Sequence, residues 1–461
     1  MRVNIESMTT SHLLQKYNVP VPRYTSYPTV PIWKDEIDTA EFSKVFVQQF
    51  ELENKANGIS LYIHLPFCES LCTYCGCNKK ITTNHNVEDD YIDSIVKEWH
   101  LYLGLMNETP VIRELHLGGG TPTFFSPDNL YRLLTSIFKT SIIHEGHEFS
   151  FEGHPINTTE AHLQALYDLG FRRLSLGVQD NDPKVQLVIN RIQPIENVRN
   201  VTEIARKIGY TSVNYDLIYG LPLQTHESIT RTIQQTILLQ PDRIAFYSYA
   251  HVPWTSKGQR LFDENDLPSA DNKLLLYQTG KEIFLEHGYC DVGMDHFALP
   301  EDALFIASQN GELHRNFMGY TTQHTNMLIG LGVSSISSTG RSFSQNVKTV
   351  HDYYDRIKND LLPVQKGYFL NDEDIRFGQY ILDISCSGKT TIQPADWDMV
   401  YAMCLEELEK LEQDGLVSIS GYEVQVTPRG RNFIRNICSA FDLYLQKSKI
   451  SSSKKMFSNA I

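Results

Sequence analysis

The chain has 461 residues, of which 41% are hydrophobic and 21% charged, the balance of an ordinary globular protein. No apolar run of about 18 residues occurs, and the opening MRVNIESMTTSHLLQKYNV has no apolar core behind a basic end. Neither a membrane span nor a secretory leader is therefore expected, and the chain reads as cytoplasmic. A formal net charge of −14 excludes a general nucleic-acid binder but not a local basic pocket for an acidic small molecule.

Residues 1–55 show no long periodic segment. PVPRYTSYPTVPIW (20–33) is expected to be extended because proline disfavours helix, so this stretch reads as an arm laid across another surface. From Ser60 short apolar strands alternate with helical patterns. The strands are LYIHL (61–65), ELHL (114–117), EFSFEG (148–153), RRLSLGV (172–178), VNYDLIYG (213–220) and RIAFYSY (243–249). Helical spacing recurs in 89–103, after the Ser126-Pro127 start, in 160–170 and in 196–209. Six alternations predict an α/β fold with parallel strands, either a partial barrel or a doubly wound sheet, with its site at the C-terminal strand ends.

Residues 256–345 are expected to cover the barrel mouth. From 346 to 461 the pattern predicts a mainly helical, winged-helix-like domain, with a helix stopped at Gly415, a hairpin turning at Ser420-Gly421, and a fraying tail, KSKISSSKKMFSNAI. The expected domains are thus an arm (1–55), a barrel (56–345) and this C-terminal unit (346–461).

The strongest chemical signal is Cys68-x-x-x-Cys72-x-x-Cys75, just after the first strand, with Cys77 two residues on. Structural zinc wants four ligands, usually as two separated pairs. Three thiolates in one short loop instead suit a 4Fe-4S cube with one iron left open. Gly118, Gly119 and Gly120, in GGGTPT, end the second strand. Alone they read equally well as a tight turn or as backbone that approaches a ligand closely.

This spacing resembles the radical S-adenosylmethionine superfamily. More of the chain resembles its oxygen-independent coproporphyrinogen III oxidase family: PRYTSYPT, YIHLPFC, CGCNK, GGGTPT, RLSLGVQD, NYDLIYGLP, YAHVP, GMDHFA, LHRNF, GYTTQ and GVSSIS. The resemblance implies a partial (β/α)6 TIM-like barrel. It implies oxidative decarboxylation of two propionates of coproporphyrinogen III to vinyl groups, giving protoporphyrinogen IX in haem biosynthesis. A 5′-deoxyadenosyl radical, made from S-adenosylmethionine at a 4Fe-4S cluster, would take the hydrogen atom, and an external electron donor and acceptor are required. Haem-binding chaperone and haem-opening methyltransferase relatives lack the Cys77 position, so CGC, YTTQ and MDHFA favour the oxidase.

Carried over by motif, Cys68, Cys72 and Cys75 would ligate the cluster. Tyr62, Tyr74, Gly118, Gly119, Gly120, Thr121, Glu152, Gln179, Arg191, Asp216, Ala250 and Ile336 would contact S-adenosylmethionine, with room in the family for a second molecule. Cys77 would act on substrate or second cofactor as a catalytic group. His154, in FEGHP, departs from an expected acidic residue. Substrate carboxylates call for cations, with Arg23, Lys79, Lys80 and Arg315 as candidates. A monomer without nucleic-acid or membrane partners completes the expectation.

Overall fold

The structure is a computed structural model that describes residues 10–254 and 256–449. Six parallel strands form its centre: β1 (Ile59–Leu65), β2 (Val111–Gly119), β3 (Ile142–Gly153), β4 (Phe171–Gln179), β5 (Ser212–Tyr219) and β6 (Arg243–Ser248). They lie side by side in chain order. Between them run α3 (Val87–Leu103), α4 (Pro127–Phe138), α5 (Glu160–Asp168), α6 (Pro183–Val188), α7 (Ile195–Ile208) and α8 (His226–Ile237), after α1 (Thr10–Tyr17) and α2 (Thr39–Glu53). This is the expected (β/α)6 arrangement. The outward residues of the strands, such as Leu61, Ile63, Leu115, Leu117, Phe149 and Phe151, are buried beneath the helices. Local chemistry fixes the helix starts. Ser126 Oγ accepts the Asn129 amide ahead of Pro127, and Asp182 accepts the Lys184 and Val185 amides ahead of Pro183.

The sheet does not end at the sixth strand. Leu328–Leu331 pairs parallel to β1, and Ile336–Ser338, Ser342–Asn346 and Val364–Phe369 continue antiparallel beyond it. His296–Ala298 and Cys290–Gly293 extend the other edge, giving 12 strands.

Three expectations need correction. Residues 39–53 are a helix, not part of a structureless arm. Asp38 caps it, and Phe42, Phe46 and Phe50, four residues apart, fill one stripe of the barrel core. The boundary at 345/346 cuts the strand Ser342–Asn346, which pairs with Val364–Phe369, so the barrel sheet continues to residue 369. LHRNFMGYTTQ does not cover the mouth. It forms a hairpin (His314–Asn316 with Gly319–Thr321) against the N-terminal halves of the strands, where Thr321 Oγ1 donates to Glu114 and Thr322 Oγ1 to Glu148. Polar side chains on the inward faces of β2 and β3 draw it to the barrel floor.

Past residue 371, helices surround a three-stranded antiparallel sheet (Lys389–Thr391, Glu423–Val426, Val417–Ser420), with Gly415 and Gly421 at positive φ where the turns fall. Leu13, Tyr24 and Tyr27 of the N-terminal arm share this unit's core. Part of the tail expected to fray, residues 450–461, lies outside the described residues.

Candidate active site

The C-terminal ends of the barrel strands surround a cavity of about 380 Å³. The loop after β1 brings Cys68, Cys72, Cys75 and Cys77 to its wall. That loop is held at several points. Lys80 N donates to Pro66 O (2.8 Å), Thr82 N to Cys68 O (2.9 Å) and Thr73 N to Ile189 O (3.0 Å). Asn190 Nδ2 donates to Leu71 O at 2.7 Å.

The loop and the glycine turn are built against each other. A Cβ on Gly120 would stand 2.5 Å from Pro66 O and 3.0 Å from Cys68 Sγ, so only glycine fits. Thr121 Oγ1 donates to Cys68 Sγ at 3.3 Å. Burial pushes the Cys68 thiol up to about 11, with the Thr121 hydrogen bond opposing the shift. Cys75 is shifted the other way, chiefly by the Cys77 thiol hydrogen bond, while Cys77 is raised by the same contact. Lys79 Nζ donates to Cys75 O at 3.0 Å.

Opposite the thiols lie polar groups from β2 to β5. Glu152 Oε2 accepts the Gly119 amide at 3.3 Å, and Glu152 Oε1 stands 3.6 Å from His116 Nε2. Gln179 sits at a bulge with φ +65, and its amide lies over Gly177. Arg191 Nη2 donates to Gly177 O at 2.6 Å, and Nη1 faces Cys72 Sγ at 3.6 Å. Asp216 accepts from Asn214 (2.8 Å) and Ser175 (3.2 Å). Burial first, then the Glu152 charge, push its carboxyl up to about 7.

The cavity therefore joins Tyr74, Gly119, Gly120, Thr121, Glu152, Gln179, Arg191 and Asp216 to the four cysteines. Tyr62 and Gly118 lie just behind the wall. The Tyr62 ring stacks on His116 and covers Gly118, and its hydroxyl meets His64 Nδ1 at 3.1 Å. Ala250 and Ile336 do not border the cavity. Ala250 O accepts from Gln259 Nε2 in the loop after β6, and Ile336 opens a strand that follows the neighbour of β1.

Among the cations, Lys79 borders the cavity, whereas Lys80 is exposed on a short strand. Arg23 lies over the Tyr247 ring, which lines the cavity. Arg315 lies against Tyr320 in a separate cavity bordered by Tyr24 to Tyr27. Sequence reasoning missed Tyr247 and His116, whose only signal was the inward register of their strands. His154 lines the wall, neutral because burial and Arg191 lower it to about 3.

Residues 62–236 match the family model of the radical SAM superfamily. An oxygen-independent coproporphyrinogen III oxidase from Synechocystis is 38% identical over 98% of this chain and 98% of its own length. One from Escherichia coli is also 38% identical, over 94% and 95%. The chain belongs to the oxygen-independent coproporphyrinogen III oxidase family. A solved structure of the Escherichia coli coproporphyrinogen III oxidase, described as a radical SAM enzyme, superposes with a TM-score of 0.88. It is 36% identical and covers 95% of this chain and 100% of that one.

Radical SAM membership implies a 4Fe-4S cluster and S-adenosylmethionine, and the residues present fit both. Among the described residues, no three His, Cys, Asp or Glu side chains converge as ligands of a single metal ion. The thiols of this oxidase-family chain instead border one wall of a wide cavity, as a multi-iron body requires. The opposite wall offers carboxylates, an amide side chain and a glycine turn to a polar small molecule.

Proposed function

We propose that this chain catalyses the anaerobic oxidative decarboxylation of two propionates of coproporphyrinogen III, giving protoporphyrinogen IX. The observation carrying this reading is the cavity that sets three loop cysteines opposite Glu152, Arg191 and Asp216, in a family whose members bear that name. Cys68, Cys72 and Cys75 would hold the cluster, leaving one iron for S-adenosylmethionine. When bound, these two groups supply an alkyl radical able to take a hydrogen atom from an unactivated carbon.

The chain's own residues do the rest. The Gly119–Thr121 turn gives close backbone approach, and Thr121 donates toward Cys68 Sγ. Arg191 is anchored on Gly177 O and faces Cys72. Glu152 and Asp216 offer acceptor oxygens to hydroxyl or ammonium donors. Tyr74 packs with Val185, Ile189 and Phe262, and its carbonyl is held by Gln259, which fixes the far side of the loop. Once a propionate loses its β-hydrogen atom, loss of CO₂ and one electron leaves the vinyl group. An electron acceptor is therefore required, as is a donor to start each cycle. A second S-adenosylmethionine, a monomeric state and a cytoplasmic site belong to the same reading, the last supported by eight unpaired cysteines. Among the described residues no helix is long and apolar enough to cross a membrane.

The deciding experiment is anaerobic incubation with coproporphyrinogen III, S-adenosylmethionine and a reductant, following protoporphyrinogen IX and 5′-deoxyadenosine. Absence of both products with an intact cluster would overturn the reading.

A further inference from the structure

One half-buried cation lies outside the machinery described above, and no salt bridge among the described residues holds it. Lys273 is on the helix Ala270–Glu286, beside the C-terminal ends of β5 and β6. Its ammonium donates to Tyr249 O at 2.9 Å and lies 6.0 Å from the Tyr219 ring, and among the described residues it forms no ion pair. Its path is built into the fold. Gly220 has φ +83, and a Cβ there would come within 2.8 Å of Lys273 Cε, so the lysine stem lies close over that glycine.

Arg23, from the N-terminal arm, enters the same recess. Its Nη1 donates to Asp295 at 2.8 Å, while Nη2 reaches Ser248 O only at 3.5 Å, a marginal contact. The guanidinium lies 5.6 Å over the ring of Tyr247, a wall residue of the cofactor cavity. About a third of the Arg23 side chain (33%) stays open to solvent, so the recess is reachable. Among the described residues the carboxylate that acts on both cations is Asp295, whereas Arg435 adds further positive charge beside Lys273. Arg435 is itself occupied, donating to the Val21 and Pro22 carbonyls.

Two cations around one carboxylate leave positive charge at the barrel rim of a protein with net charge −14. Burying unmatched charge is costly, and an incoming carboxylate relieves it. Burial first, then repulsion from Arg23 and Arg435, holds Lys273 down at about 8, and an anion would offset that repulsion. We propose that Arg23 and Lys273 together form a seat for a propionate carboxylate of the tetrapyrrole substrate. The inference rests on the function read above and adds to it a place where the substrate is held.

The test uses coproporphyrin III, the oxidised, air-stable form with the same four carboxylates, titrated by fluorescence into anaerobically purified holoprotein. Lys273→Met and Arg23→Gln should each weaken binding about tenfold, the scale of a charge-assisted hydrogen bond. Lys273→Arg, which keeps the charge, should stay within about threefold of wild type. Iron content and S-adenosylmethionine affinity should be unchanged in all three, which separates lost substrate contact from misfolding. Binding within about twofold of wild type in both Lys273→Met and Arg23→Gln would overturn the seat. So would a Lys273→Arg variant as weak as Lys273→Met, because packing alone would then explain the residue. The wild-type conversion assay stands apart. A chain that makes no protoporphyrinogen but shows the tenfold losses refutes the reaction and keeps the seat.

Discussion

Thr121 Oγ1 donates to Cys68 Sγ across 3.3 Å, joining the turn after β2 to the first cysteine after β1. Without that donor the Cys68 sulfur would be still harder to ionise, since burial already raises it. Hydrogen bonds to ligand sulfurs also raise a cluster's reduction potential. Thr121→Val should therefore keep the fold and the iron but lower the potential by about 60 mV, the one-electron equivalent of about 1.4 kcal/mol. Thr121→Ser should restore it. A redox titration followed by EPR measures both.

Gly120→Ala is predicted to be far more damaging than its size implies. The added methyl would meet the Pro66 carbonyl at 2.5 Å and Cys68 Sγ at 3.0 Å, and the first is backbone that cannot rotate away. Overpacking of this kind costs about 1–3 kcal/mol. The strain falls on the cysteine loop, so iron per chain should drop sharply while far-UV circular dichroism stays that of wild type. Normal iron content would show that the loop can shift freely.

The parallel strands and the cysteine loop were legible because their signals are local: strand-like runs of four to eight residues, and a fixed thiol spacing. Tyr247 and His116 were not, because the inward-facing positions of a barrel alternate with buried outward ones and only register tells them apart. The hairpin His314–Thr321 was misplaced for a related reason. Its partners Glu114 and Glu148 are some 170 to 210 residues away in sequence, and nothing within LHRNFMGYTTQ marks floor from mouth. Ala250 and Ile336 came from motif resemblance alone, and neither borders the cavity.

The helix Thr39–Glu53 was overlooked because its apolar stripe is one residue wide: Phe42, Phe46 and Phe50. All three are fully buried or nearly so, and Phe46 stacks on Phe50 and packs against Tyr102 of α3. Phe46→Ala should then destabilise the barrel by about 3–5 kcal/mol, as core aromatic truncations do. Urea unfolding of the cofactor-free protein measures this. A loss under about 1 kcal/mol would mean that the helix is a detachable appendage.

Cys77 shares the cavity wall with Cys75 and is tied to it thiol to thiol. As a fourth ligand it would close the iron that the cofactor needs open. Cys77→Ser should keep near-normal iron and sulfide and the cluster's EPR signal, yet lose most protoporphyrinogen production, about tenfold or more for a group acting at the reacting centre. Loss of the cluster would make Cys77 a ligand. Full turnover would leave it a wall residue.

Asp216 gives the protein a pH dependence of definite sign. Its carboxyl is pushed up to about 7 by burial and by Glu152, with Asn214 and Ser175 pulling it back. In the unfolded chain it titrates near 3.9. Between about pH 4 and 7 the folded form thus holds a proton that the unfolded form has released. The stability this group contributes is greatest below pH 4 and is lost as pH rises through 7. Asp216→Asn removes the buried charge but keeps the Asn214 and Ser175 neighbours. The Tm of the cofactor-free variant should exceed wild type at pH 8 and match it near pH 4. S-adenosylmethionine should nonetheless bind more weakly, by about tenfold, because an amide replaces the charged acceptor facing the cavity. Stability gained where binding is lost is what a site residue shows and a packing residue does not. Melting curves at the two pH values, with equilibrium binding of S-adenosylmethionine at pH 8, decide it. A lower Tm at pH 8 would mean that the ionised carboxylate holds the barrel together.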